Sequence, residues 1–101
     1  MIESTTRIIE TILAIPEGRV SCYRDIAAKA GLVNGARQVA RTLHTLSEKY
    51  SLPWYRILKA DGCIALEKGS GAELQAELLR REGIKVSKEG RVDLDKYLWR
   101  Q

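Results

Sequence analysis

Ser21-Cys22-Tyr23-Arg24-Asp25-Ile26-Ala27-Ala28-Lys29-Ala30-Gly31-Leu32-Val33-Asn34-Gly35-Ala36-Arg37-Gln38-Val39-Ala40-Arg41 is the stretch that decides the fold. Ser21 stands where it can cap a helix over residues 22–30, with Tyr23, Ile26, Ala27 and Ala30 on one face. Gly31 supplies the stop, and Leu32-Val33-Asn34-Gly35 makes a tight turn. A second helix over residues 36–46 follows, with Ala36, Val39, Ala40, Leu43 and Leu46 as its buried stripe. Two short helices joined by a Gly-containing turn read as a helix-turn-helix. On another face of the second helix Arg37, Arg41 and His44 recur at steps of four and three residues, so they project together, and no acid interrupts them. Such a face is often only a solvated one; its place in a helix-turn-helix favours DNA.

Upstream, Ser4 can cap a helix whose apolar residues Ile8, Ile9, Ile12, Leu13 and Ile15 keep helical spacing until Pro16-Glu17-Gly18 stops it. Arg19-Val20 is a short extended link. Downstream, residues 47–51 read as a polar loop and Ile57-Leu58 as the start of a strand. Asp61-Gly62 is a hairpin turn signal, with Cys63-Ile64-Ala65 as the returning strand. Ser70 and Glu73 form a capping box for a helix running through Leu74, Leu78 and Leu79 to Gly83. In the tail, Leu94, Tyr97, Leu98 and Trp99 are placed to pack back onto the body. The expected fold is therefore mostly α with a small β-hairpin: a winged-helix-like helix-turn-helix domain over residues 1–101, without repeats or linkers.

Composition bounds what such a domain can do. The 101 residues are 45% hydrophobic and 30% charged, ordinary for one soluble domain. No apolar run is long enough to span a membrane and no signal-peptide pattern opens the chain, so a membrane partner is not expected and the cytoplasm is (the nucleoid if bacterial, the nucleus if eukaryotic). Cys22 and Cys63 lie far apart without metal-ligand partners nearby, which reads as two reduced thiols and neither a disulfide framework nor a metal site. No cofactor is called for. Lys and Arg number 17 against 13 Asp and Glu, a net charge of +4. Between Arg19 and Lys59 the acids are Asp25 and Glu48 alone, so the middle of the chain is the candidate phosphate-contacting surface.

Further motifs carry a resemblance. Pro53-Trp54-Tyr55-Arg56-Ile57 resembles the active-site signature Pro-Cys-His-Arg-Val of the O6-alkylguanine-DNA alkyltransferases. Gly35-Ala36-Arg37-Gln38-Val39 looks like that family's recognition helix, Ala-Arg-Ala-Val-Gly, with Ala40 and Arg41 where the family has glycines. Val20-Ser21-Cys22-Tyr23-Arg24-Asp25-Ile26-Ala27 resembles its Val-Ser-Tyr-Gln-Gln-Leu-Ala, with one extra residue before the tyrosine. Glu82-Gly83 resembles the glutamate that precedes a glycine. The resemblance runs from about Ile8 to Glu82 and is similar in particular to the alkyltransferase-like proteins, in which tryptophan commonly replaces the nucleophilic cysteine.

The resemblance implies a fold, the DNA-binding domain of those enzymes, and roles for matched residues. The recognition helix would enter the minor groove, with Arg37 filling the gap left by an extruded guanine. Tyr23 would press on the neighbouring phosphate and rotate the nucleotide outward. The small residues Gly35, Ala36 and Ala40, with Gln38 and Arg41, would complete the DNA contact. Pro53, Trp54, Tyr55 and Arg56 would form the alkylguanine pocket. An indole has no ionisable thiol, and Tyr55 stands where the family keeps its histidine base, so the implied protein binds O6-alkylguanine without alkyl transfer. It would act as a monomer on double-stranded DNA and hand the lesion to nucleotide excision repair. The rivals are a winged-helix regulator of undamaged DNA and an active alkyltransferase working through Cys22 or Cys63.

Overall fold

The computed structural model describes residues 2–100. In chain order it runs α1 (Glu3–Leu13), β1 (Ser21–Cys22), α2 (Tyr23–Lys29), α3 (Ala36–Tyr50), a 3₁₀ turn (Trp54–Arg56), β2 (Ile57–Leu58), α4 (Ala72–Arg81) and α5 (Leu94–Tyr97). The mostly helical, helix-turn-helix plan expected from the sequence is present. Its small sheet is different. β1 and β2 pair in parallel, Ser21 with Ile57 and Cys22 with Leu58, instead of forming a hairpin. The Asp61-Gly62 turn does form, with Cys63 N–H donating to Asp61 Oδ1 at 3.0 Å and Gly62 N–H to Lys59 O at 2.9 Å. Beyond it Cys63 bridges to Arg91 of the tail, so long-range pairing overrides the local turn signal.

Two caps are also replaced by tertiary contacts. Ser21 lies in β1, and Cys22 takes the N-cap position of α2 with no side-chain cap. Ser4 lies inside α1, where its Oγ accepts from Gln38 Nε2 of α3 at 2.8 Å. At α4 no side chain caps the helix: Gly71 holds the N-cap at φ 110°, while Glu73 Oε1 accepts from Gly69 N–H at 2.9 Å, which is half of the expected box. The polar residues 47–50 extend α3 instead of forming a loop. Ser47 turns its hydroxyl back to Leu43 O, Tyr50 packs on the core, and Ser51 in the left-handed region (φ 52°) ends the helix.

Two apolar clusters meet at the parallel pair. Ile8, Ile12, Ile26, Val39 and Ile57 belong to the cluster that holds α1 against the helix-turn-helix. Val20, Leu58, Leu79, Ile84, Val92 and Tyr97 belong to the other, under α4 and the tail. Adjacent residues of β2 point to opposite sides, so Ile57 serves one cluster and Leu58 the other. The tail closes the seam from outside: Val20 N–H donates to Tyr97 O at 3.0 Å and Trp99 N–H to Val20 O at 2.7 Å. Leu13 and Leu74, expected in apolar stripes, are about half exposed (51% and 50%) because neither faces either cluster.

Candidate nucleic-acid interface and base pocket

The exposed side of α3 is the interface candidate. Arg37 and Arg41 are both exposed there, and neither makes an ion pair among the described residues. His44 continues the same face. The other interface candidates divide. Ala40 and Ala36, expected in the buried stripe, are exposed and partly exposed, Val39 and Thr42 being the buried residues of α3, and their small size suits a helix that seats closely in a groove. Gln38 turns to Ser4 of α1. Gly35 is buried, and a Cβ built on it would lie 2.7 Å from Leu32 Cβ and 3.2 Å from Ala27 Cβ. Its smallness serves the packing of α2 and Leu32 against the start of α3.

Beside this face opens a cavity of about 430 Å³, a size suited to a small-molecule group. Tyr23 at the start of α2 forms one side, and Ala40, Leu43, His44 and Ser47 of α3 form the next. Trp54 of the 3₁₀ turn, Leu66 of the loop before α4, and Gln75 of α4 complete it. Tyr23 and Trp54, predicted to flip and to receive a base, are thus brought to the same cavity. Burial pushes the Tyr23 phenol up from its ordinary pKa, so it remains a proton-bearing donor.

Tyr55 and Arg56, expected in the pocket, face away from it. Arg56 Nε donates to Glu82 Oε1 and Oε2 at 3.0 and 3.1 Å, Nη2 pairs with Oε2, and Nη1 donates to Ile15 O at 2.8 Å. Tyr55 O–H donates to Glu82 Oε2 at 3.1 Å, and Gly18 N–H to Oε1 at 3.0 Å. The side chains of Arg56 and Glu82 are only 13% and 9% exposed. Burial works to raise the Glu82 carboxyl, but the bonds from Arg56 and Gly18 outweigh it and hold the group below the usual carboxylate range. Burial and the bond to Glu82 push the Tyr55 phenol up. Pro53, at the N-cap of the 3₁₀ turn, is half-buried and shapes the approach to Trp54 without lining the cavity. This cluster ties the end of α1, the Trp54 turn and the end of α4 together, and so fixes the tryptophan from behind.

The remaining reactive groups are accounted for in the same way. Cys22 is buried, and burial pushes its thiol up, opposite to what a nucleophile needs. Neither cysteine lines the cavity. Among the described residues no group of His, Cys, Asp or Glu side chains is arranged to hold a metal, and no helix is long and apolar enough to cross a membrane.

A family model described as the 6-O-methylguanine DNA methyltransferase DNA-binding domain matches residues 3–84. The chain belongs to that family. Within it the chain is 41% identical over 93 residues to a DNA base-flipping protein of Escherichia coli, covering 92% of this chain and 71% of the relative. It is 30% identical to alkyltransferase-like protein 1 of Schizosaccharomyces pombe, covering 99% and 97%. The crystal structure of S. pombe Atl1 in complex with damaged DNA containing O6-carboxymethylguanine superimposes with a TM-score of 0.90 at 29% identity, over 100% of this chain and 98% of that one. The names of these relatives suggest non-catalytic members of the family.

Several cavity residues escaped the sequence. Leu43 reads as core, Ser47 as loop and Leu66 as nothing in particular, because five separate segments build the cavity. Gln75 left a signal: it sits on the inward stripe of α4 with Ala76 and Leu79, where an apolar residue is expected. It is 2% exposed, and its Nε2 donates to Tyr55 O at 3.1 Å and Ile57 O at 3.0 Å.

Proposed function

We propose that this chain binds double-stranded DNA containing O6-alkylguanine, holds the base outside the helix in the cavity beside Trp54, and leaves the alkyl group in place. The observation that carries this reading is the cavity itself. It joins Tyr23, the exposed face of α3 and Trp54, and an indole there offers no thiol to accept an alkyl group. Extruding a base costs a few kcal/mol, less for a poorly paired one, and a base–aromatic contact offsets about 1–3 kcal/mol of it. Arg37 is free to enter the vacated stack and Arg41 to neutralise phosphate. The relatives' association with base flipping and damaged DNA supports the same reading.

A protein that binds a lesion and cannot remove it contributes to repair only by presenting it to other machinery. Nucleotide excision repair, which removes a damaged segment without needing to fit the alkyl group, is the partner this predicts, with the chain acting as a monomer. The test compares affinity for duplexes that differ by one O6-methylguanine in place of guanine. Preference for the lesion supports the reading. Equal affinity would replace it with a regulator of undamaged DNA bound through the basic face alone.

A further inference from the structure

The walls of the cavity also bear on which O6-substituent it admits, and this step rests on reading it as the seat of an extrahelical O6-alkylguanine. Leu43, Trp54 and Leu66 give it apolar surface from three directions. No lysine or arginine is among its lining residues. The donors of two polar side chains are committed elsewhere. Both amide hydrogens of Gln75 are drawn to the carbonyls of Tyr55 and Ile57, at 3.1 and 3.0 Å. Two carbonyl acceptors can be met only by the amide nitrogen, so the orientation of the group is fixed and Oε1, an acceptor, is what it can present to a ligand. Ser47 donates its hydroxyl proton to Leu43 O. The Tyr23 hydroxyl and the His44 ring are the remaining donors, and Tyr23 is neutral.

We infer that this cavity selects neutral, apolar O6-substituents and rejects anionic ones such as carboxymethyl. A carboxylate entering it gives up hydration and meets leucine, indole and an amide oxygen, with no lysine or arginine to pair with. A methyl or benzyl group loses no hydrogen bonds and gains burial. The S. pombe relative was crystallised with DNA containing O6-carboxymethylguanine, so the shared fold does not itself exclude the anion. The lining side chains decide.

The test uses the full chain and fluorescent duplexes of one sequence containing guanine, O6-methylguanine, O6-benzylguanine or O6-carboxymethylguanine, at fixed salt and fixed pH. The methyl and benzyl lesions should bind well above guanine, and the carboxymethyl lesion at least about tenfold more weakly than methyl. In Leu66→Lys, a substitution at a side chain already 41% exposed, the carboxymethyl-to-methyl affinity ratio should rise. If carboxymethyl binds as tightly as methyl while both exceed guanine, the charge selectivity is wrong and the pocket stands. If the ratio does not respond to Leu66→Lys, the lining is not its cause. If all four duplexes bind equally, the pocket itself is overturned.

Discussion

At the scale of single residues, a thiol at position 54 would not by itself make an alkyl-transferring site. The neighbouring Tyr55 hydroxyl donates to Glu82, and its raised pKa keeps it protonated. Trp54→Cys should therefore give no methyl transfer: after incubation with O6-methylguanine DNA, mass spectrometry should show the protein unmodified. Transfer by that variant would mean that Tyr55 and Glu82 can activate a thiol after all. Arg37 and Arg41 separate by role in the same way. Arg37→Ala should weaken lesion binding by about 1–3 kcal/mol and reduce the preference over guanine. Arg41→Ala should weaken binding to both duplexes alike, lowering the salt slope by about one unit. A pair of titrations on lesion and undamaged DNA distinguishes the two patterns.

At the scale of elements, the Arg56–Glu82 pair explains how a three-residue turn can hold a tryptophan against a cavity. A turn of that length has little cohesion of its own, and Arg56 anchors it to Glu82 at the end of α4, itself held by Gly18 N–H, and to Ile15 O after α1. Removing one partner of a largely buried pair leaves the other uncompensated, so Glu82→Ala should cost on the order of 3 kcal/mol, visible as a lower urea midpoint. The pH dependence follows from the lowered carboxyl. The folded value lies below the unfolded one, so the contribution is complete above the ordinary glutamate value of about 4.3. It is lost as pH falls through the lowered value. The stability gap between the wild type and Glu82→Gln should therefore close in acid; a gap that stays constant down to strongly acidic pH would exclude an ionised Glu82 as its source. The elements also show where local signals misled. Ser21 has the right identity for a cap, but its backbone is drawn into pairing with Ile57, thirty-six positions on, and no local rule reports such a partner.

At the scale of the whole molecule, a net charge of +4 with acids scarce between Arg19 and Lys59 makes DNA affinity electrostatic in origin. Counterion release then predicts a log–log dependence of affinity on salt with a slope of about −0.9 for each phosphate neutralised, hence about −2 from Arg37 and Arg41 alone. A flat profile between 50 and 200 mM salt, the range in which such slopes are ordinarily read, would argue against the α3 face as a phosphate-contacting surface. Selectivity for the lesion should survive the loss of affinity, because no arginine or lysine is among the residues lining the cavity beside Trp54.

The sequence by itself determined the helix-turn-helix, the basic face of α3, the family, and the Trp54-Tyr55 pair, which supplies neither a thiol nor an imidazole. These are properties of residue identity and of spacing within a few helical turns, which the chain states directly. Tertiary structure alone decided that the small sheet is parallel and that Gly35 and Gln38 serve packing. It also decided that Tyr55 and Arg56 brace the pocket from behind, and that Leu43, Ser47, Leu66 and Gln75 line it. The physical reason is that burial and hydrogen-bond partners are assigned between segments far apart in the chain. A polar residue such as Arg56 does not announce whether it will meet a ligand or a buried glutamate until both segments are in place.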